Sequence, residues 1–172
     1  SDAAPGVQLV WFKRDLRVAD HEPLVRAAAH GPVVALYGYE PSVLKSAEFD
    51  ACHLDFINDC LSELRTALVQ RGCPLLIRVG EFPQLLQALH DEFRIAALWS
   101  HEETGLEVTY ARDRRVGRWC RDQKIGWHEM PQTGVIRRLK SRDGWARRWD
   151  RRMSAPLVAA PESIATVAAL RD

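Results

Sequence analysis

The sequence predicts a doubly wound α/β fold, a Rossmann-like three-layer α/β/α domain whose five parallel strands run in the order 3-2-1-4-5. Three observations carry this. Short runs rich in β-branched and aromatic residues recur along the chain, and segments with apolar residues three and four apart separate them. Several of the short runs are continuously apolar rather than alternating, which suits strands buried on both faces of a parallel sheet. The resulting βαβαβαβαβ order, joined by right-handed crossovers, leaves few topologies.

The elements follow in order. Val7 to Phe12 (VQLVWF) is the first strand. Asp20 is expected to cap the next helix, Pro23 is tolerated in its first turn, and Gly31-Pro32 ends it after His30. Val33 to Tyr37 (VVALY) is the second strand. A long helix over Cys52 to Gln70 follows, with Leu54, Ile57, Leu61, Leu64 and Leu68 on one face and Gly72 as its stop. Leu75 to Val79 (LLIRV) is the third strand. Phe82, Leu86, Leu89 and Phe93 mark one face of a further helix, and Ile95 to Trp99 is the fourth strand. A helix around Val108 to Asp122 is expected to turn Val108, Ala111, Val116, Trp119 and Cys120 to the core, and Ile125 to Met130 is the fifth strand.

Composition narrows the function classes. The chain has 172 residues, 47% of them hydrophobic and 27% charged, with a net charge of +1. That is one ordinary globular domain with a real core, so nucleic-acid affinity must rest on a local patch rather than on overall charge. Cys52, Cys60, Cys73 and Cys120 form no C-x-x-C pair, which predicts free, mostly buried thiols in a reducing compartment and no zinc site. There is no run of 18 apolar residues and no secretory leader pattern, so membrane insertion is not expected and a cytoplasmic location is.

In a doubly wound sheet, ligands bind outside the carboxyl ends of the strands, where the strand order reverses. Here the reversal lies between strands one and four, so the loops Lys13 to Glu22 (KRDLRVADHE) and Ser100 to Glu107 (SHEETGLE) should frame a crevice. The candidate crevice residues are Lys13, Arg14 and Asp15 on one side and Glu102, Glu103 and Glu107 on the other. Carboxylates there could accept from ring N–H groups of a ligand, or could simply favour the start of the following helix. Arg14 and Asp15 could shape the crevice or serve as ion-pair and loop-capping residues. His21 and His101 fall near the same place and read as surface or loop positions. There is no G-x-G-x-x-G, no G-x-x-x-x-G-K-[ST], no H-E-x-x-H and no G-x-S-x-G, so Rossmann dinucleotide binding, P-loop, zinc-protease and α/β-hydrolase chemistry are unsupported.

Three segments go beyond fold class. Val10 to Leu24 (VWFKRDLRVADHEPL) is similar to the opening strand and loop of DNA photolyases and cryptochromes, with Lys13 for the first of two arginines and His21-Glu22 in place of the usual Asn before Pro. Tyr39 to Pro41 (YEP) resembles that family's acidic-Pro turn after the second strand. Glu103 to Val116 (ETGLEVTYARDRRV) resembles its helix after the fourth strand, with the Arg112-Asp113 pair. The resemblance implies an α/β domain over 7–133, an Arg/Trp-rich helical extension over 134–153, and a linker or incomplete docking segment over 154–172 leading to a helical FAD-binding domain that this chain does not contain. It implies light-driven repair of pyrimidine dimers or blue-light sensing for a full-length protein, with the lesion flipped out of DNA to reach the flavin. It further implies that this α/β domain holds at most a light-harvesting chromophore, a folate, a deazaflavin or a flavin, with neither FAD nor repair activity of its own. Thr109 and Tyr110 stand near where folate-binding members carry an Asn-Glu pair, which leaves the chromophore's identity open.

The Arg/Trp-rich extension carries eight cations against Asp143 and Asp150 between Arg137 and Arg152. Arg147, Arg148 and Arg151 are its candidate phosphate contacts. Its other reading is an amphipathic helix that packs Trp145 and Trp149 and leaves the arginines in water. Two further function classes remain: a stand-alone nucleotide-binding protein of the same architecture, and an interaction module for a separately encoded helical partner.

Overall fold

The computed structural model of the chain describes residues 6–46, 51–103, 106–132 and 158–170, without the side chains of 51–53. Its elements are β1 (Val7–Phe12), α1 (Glu22–His30), β2 (Val33–Tyr39), α2 (Pro41–Leu44), α3 (Ala51–Gln70), β3 (Leu75–Val79), α4 (Gln84–Phe93), β4 (Ile95–His101), α5 (Glu107–Gln123) and β5 (Gly126–Met130). The five strands form one parallel sheet in the order β3-β2-β1-β4-β5, the expected topology.

The central strand explains why the runs are continuously apolar. Along β1, Leu9 and Trp11 face one layer with α4 and α5, where they join Leu36, Leu86, Leu98 and Val116. Val10 and Phe12 face the other layer with α1 and α3, where they join Leu24, Ala35, Leu64 and Leu68. All six residues of β1 are buried. A strand clad on both faces cannot alternate apolar with polar. Gln8 is the polar exception, and its side chain accepts a hydrogen bond of 2.7 Å from Trp99 Nε1.

Three sequence expectations need correction, and one element was not foreseen. His21, not Asp20, caps α1. Its Nδ1 accepts from the Leu24 N–H at 3.1 Å, while Asp20 sits in the left-handed region with φ 51°. Phe82 lies ahead of α4 rather than on it, buried and stacked on Trp11 with ring centroids 4.5 Å apart. In α5 the buried positions in the first two turns are Thr109, Arg112 and Asp113, whereas Val108 and Ala111 are only half-buried. The helix is rolled so that the guanidinium of Arg112 enters the domain, because three carboxylates and the Trp11 ring await it there. The short helix α2 has no counterpart among the sequence expectations. Its first turn is capped from outside, the Glu81 carboxylate accepting from the Ser42 N–H and hydroxyl at 2.7 Å each.

Residues 158–170 dock on the body as a strap that is extended up to a short 3-10 turn at Ala168–Leu170. At the carboxyl end of the strands, Asp20 N–H donates to the Val158 carbonyl at 2.9 Å. At the opposite end, Val33 N–H donates to the Ala165 carbonyl at 2.8 Å, Thr166 Oγ1 donates to the Val33 carbonyl at 2.7 Å, and Ile164 N–H donates to the Arg71 carbonyl at 2.8 Å. Ile164 is buried in the α1/α3 layer. The Arg/Trp-rich extension, with Arg147, Arg148 and Arg151, lies outside the described residues. Among the described residues no helix is long and apolar enough to cross a membrane.

Candidate functional site

A narrow crevice opens at the carboxyl end of the sheet, over β1 and β2. Its walls are Trp11, Phe12, Lys13 and Arg14 from β1 and its loop, Tyr37 to Glu40 from β2, Val43 and Leu44 from α2, Ile57 from α3, and Glu103, Leu106, Thr109 and Arg112 from the β4–α5 segment. The free volume is about 70 Å³. That is room for roughly five waters, so a bicyclic or tricyclic ligand requires the walls to ease apart. Gly38 explains part of the shape. A Cβ there would lie 2.6 Å from the Phe82 ring and 2.8 Å from Leu85 Cδ1, so β2 can pass this close to the α4 layer only as glycine.

The crevice sits on a buried ion cluster. Arg112 is at its centre, 3% exposed. Its Nε donates to Asp113 Oδ1 at 3.0 Å, its Nη2 to Glu103 Oε2 at 2.6 Å and its Nη1 to Glu40 Oε1. Lys13 Nζ donates to Asp113 Oδ2 at 2.7 Å and to the His101 carbonyl at 3.1 Å. Both cations lie over the Trp11 ring, Lys13 Nζ at 4.4 Å and Arg112 Cζ at 4.8 Å from its centroid, a geometry that adds cation–π attraction in a desolvated place. Burial disfavours the charged form of Arg112, and the surrounding carboxylates more than offset it, raising its pKa. Burial pushes the Glu40 carboxyl up to about 7, with Arg112 only partly holding it down.

Beside the crevice lies a second buried knot. Asp15 Oδ2 accepts from His21 Nε2 at 2.5 Å and from His101 Nδ1 at 2.6 Å, and its Oδ1 accepts from the Lys13 N–H at 2.8 Å. Burial alone would raise the Asp15 pKa, yet the two imidazoles hold it well below the usual carboxylate value. Burial lowers the pKa of His21, which is therefore neutral near pH 7. Because His21 Nδ1 accepts from Leu24, the single proton of the neutral ring sits on Nε2 and is spent on Asp15. The ligand atoms of these three residues lie within 4.8 Å of one another, and hydrogen bonding accounts for the grouping without a metal. The knot pins the β1 loop, the start of α1 and the end of β4 together.

The structure thus sorts the candidate residues named from sequence. Lys13, Arg14 and Glu103 line the crevice. Asp15 lies in the histidine knot. Glu102 and Glu107 do not line it, and exposed Glu107 makes a long pairing of 3.6 Å with Arg114. Glu103, read as a possible solvated helix start, is 3% exposed and bound to Arg112. His21 and His101, read as surface or loop residues, are buried because Asp15 recruits both. The crevice extends over β2 rather than sitting between the β1 and β4 loops alone, because α2 closes it on that side. Sequence reasoning passed over Glu40, Tyr37 and Tyr39 as site residues. An acidic residue ending a strand directly before Pro41 was the available signal.

Comparison with known proteins identifies the family. A model of the family described as DNA photolyase matches residues 8–159. The chain belongs to the DNA photolyase family. It is 38% identical over 112 residues to a cryptochrome DASH of Gloeobacter violaceus, covering 61% of this chain and 22% of that protein. It is 33% identical over 111 residues to a deoxyribodipyrimidine photo-lyase of a Synechococcus strain, covering 62% and 22%. Among solved structures, a bacterial class III photolyase from Agrobacterium tumefaciens superposes with a TM-score of 0.81 at 19% identity, covering 98% of this chain and 36% of that one. An archaeal photolyase from Sulfolobus tokodaii, described with two FAD molecules, gives 0.77 at 16% identity, covering 95% and 39%. The chain therefore has the family's α/β fold, and its matched stretch covers about a fifth of the length of the two curated relatives named above.

Proposed function

We propose that this domain serves a photolyase- or cryptochrome-type flavoprotein, in light-driven DNA repair or blue-light sensing, by holding a light-harvesting chromophore in the crevice over β1 and β2. The chromophore would be a folate, a deazaflavin or a flavin, and its contribution is to absorb light and pass excitation energy to FAD held in a helical domain. The chain's own residues make and break no bond in this reading. Their work is to bind, to orient and to exclude water.

The observation that carries the reading is the crevice itself. It lies at the ligand-binding end of a doubly wound sheet, walled by aromatic and aliphatic side chains with a few convergent buried polar groups. Phe12, Tyr37 and Tyr39 offer flat apolar surface, Lys13 and Arg112 carry fixed charge below it, and exposed Arg14 stands at the mouth for a ligand's anionic tail. The ion cluster is locked by short contacts, so the polar groups are in place before a ligand arrives. That limits the ordering cost of binding.

The test is an absorption spectrum of the purified protein from the near-ultraviolet through the blue, followed by fluorescence titration with a reduced folate, a deazaflavin, FMN and FAD. Near-stoichiometric uptake of one of them, weakened by substitution of Tyr39 or Arg14, supports the reading. A colourless protein that takes up none of the four refutes it.

A further inference from the structure

Glu40 is the least satisfied charged group in the crevice. Its side chain is 7% exposed and forms part of the wall. Oε1 is held by Arg112, while Oε2 is buried and has no hydrogen-bond partner among the described residues. A buried carboxylate oxygen left unpaired is costly, and such an oxygen in a native site asks for a donor that arrives from elsewhere.

The charge balance agrees. Among the described residues, the cluster beneath the crevice contains two cations, Lys13 and Arg112, against three carboxylates, Glu40, Glu103 and Asp113. Lys13 and Arg112 together satisfy both oxygens of Asp113, and Glu103 holds Arg112 Nη2, so the unmatched acceptor falls to Glu40. Glu81 and Asp113 add negative potential at Glu40, against the attraction of Arg112. The walls around it are aromatic and closely spaced, which suits a flat ring edge and not a bulky or branched group.

We propose that Glu40 is the specificity-determining acceptor of the crevice, its Oε2 taking a hydrogen bond from the lactam or imide N–H of a flat heteroaromatic ligand. The inference rests on the chromophore reading above and goes further. It names the ligand atom that is read and the residue that reads it. A pterin ring and an isoalloxazine or deazaflavin ring all present such an N–H beside a carbonyl, so Glu40 selects for that edge and not for one ring system. With the donor in place, Arg112 and the ligand hold one oxygen each.

The experiment uses two matched pairs of probes, lumiflavin with 3-methyllumiflavin, and pterin with 3-methylpterin, titrated into the whole chain by ligand fluorescence. In each pair the methyl removes the N–H and leaves the ring. The pair that binds identifies the ring system. The expected result is that the parent binds roughly tenfold or more tightly than its N-methyl analogue, the worth of a hydrogen bond to a charged acceptor. In Glu40→Gln the preference should collapse, because with the amide oxygen kept on Arg112 the NH2 group stands in place of Oε2 and opposes the ligand N–H. Glu40→Asp keeps the charge but withdraws the oxygen by one methylene and should fall between. Equal binding of parent and N-methyl analogue overturns the role of Glu40 and leaves the crevice reading standing. Failure of all four probes to bind overturns the role of Glu40, and the crevice reading is then decided by the titration with a folate, a deazaflavin, FMN and FAD. The preference on the unaltered protein is read together with its collapse in Glu40→Gln, which separates the hydrogen bond from the bulk of the methyl, and a preference that survives in a folded Glu40→Gln overturns the role of Glu40.

Discussion

Replacing Arg112 with Met should be among the most damaging single changes available in this domain. The guanidinium has all three nitrogens engaged by carboxylates and its face against Trp11. Met fills much of the same volume, so the loss is electrostatic and not a cavity. Without Arg112, the carboxylates of Glu40, Glu103 and Asp113 lose their shared cation in a nearly dry site, and Lys13 still holds Asp113. Removing one partner of a buried ion pair costs about 3–5 kcal/mol, because the other charge stays buried and unpaired. For a chain of 172 residues each kcal/mol is worth about 2–4 °C, so the melting temperature should fall by about 6–20 °C at pH 7. Thermal denaturation followed by circular dichroism measures this. Two controls separate the cause from generic damage. The loss should shrink at pH 5, where abandoned carboxylates can take up protons, and adding Glu40→Gln and Glu103→Gln to Arg112→Met should recover a large part of it. A variant that melts within about 2 °C of the parent, or a triple variant that recovers nothing, would refute the claim that Arg112 is what makes burial of these carboxylates tolerable.

Two further outcomes follow from the same structure. The Glu40 carboxyl is raised from 4.5 to about 7 in the folded chain, so it favours the protonated folded form. That contribution is complete below its unfolded value and is lost as pH rises through about 7, at roughly 1.4 kcal/mol for each tenfold difference in proton affinity between the folded and unfolded chain. The unliganded protein should therefore lose about 3 kcal/mol of stability relative to Glu40→Gln between about pH 4.5 and 8, read from urea denaturation at a series of pH values; parallel profiles for the two proteins would count against it. Ile164→Ala removes a buried strap side chain from the α1/α3 layer and should cost about 2–4 kcal/mol in urea denaturation, whereas a loss under about 0.5 kcal/mol would mean the strap is only laid against the body.

The fold was legible from the sequence because its signals are local. VVALY and IAALW announce strands clad on both sides, Leu61, Leu64 and Leu68 show one helix face, and the chirality rule orders the rest. The cap at His21 was not legible, since a histidine reaches that role only when its other nitrogen is held, here by an aspartate six residues away. The site was legible as two charged loops and no further. Lys13 and Asp113 are 100 positions apart, and Glu40 and Arg112 are 72 apart. Nothing in the spacing of charges tells a paired, buried carboxylate such as Glu103 from a solvated one such as Glu107 four residues on. The Arg112-Asp113 dipeptide entered as a point of family resemblance. Only the packing reveals that it carries the cluster on which the crevice rests.

The strap also sets a timetable. The sheet is complete once Met130 has been made, but Thr166, which closes on the carbonyl of Val33, lies 36 residues further along the chain. At about 5–20 residues per second, synthesis leaves a gap of about 2–7 s in which five strands can pair while the socket for Ile164 stands open. During that interval the amino end of β2 presents an unpaired N–H and an apolar hollow beside Leu64, Leu68 and Cys73. A ribosome-bound chain arrested between these two points should be the form most prone to sticking to its neighbours, and residues 158–170 would act as a late latch on a domain already assembled.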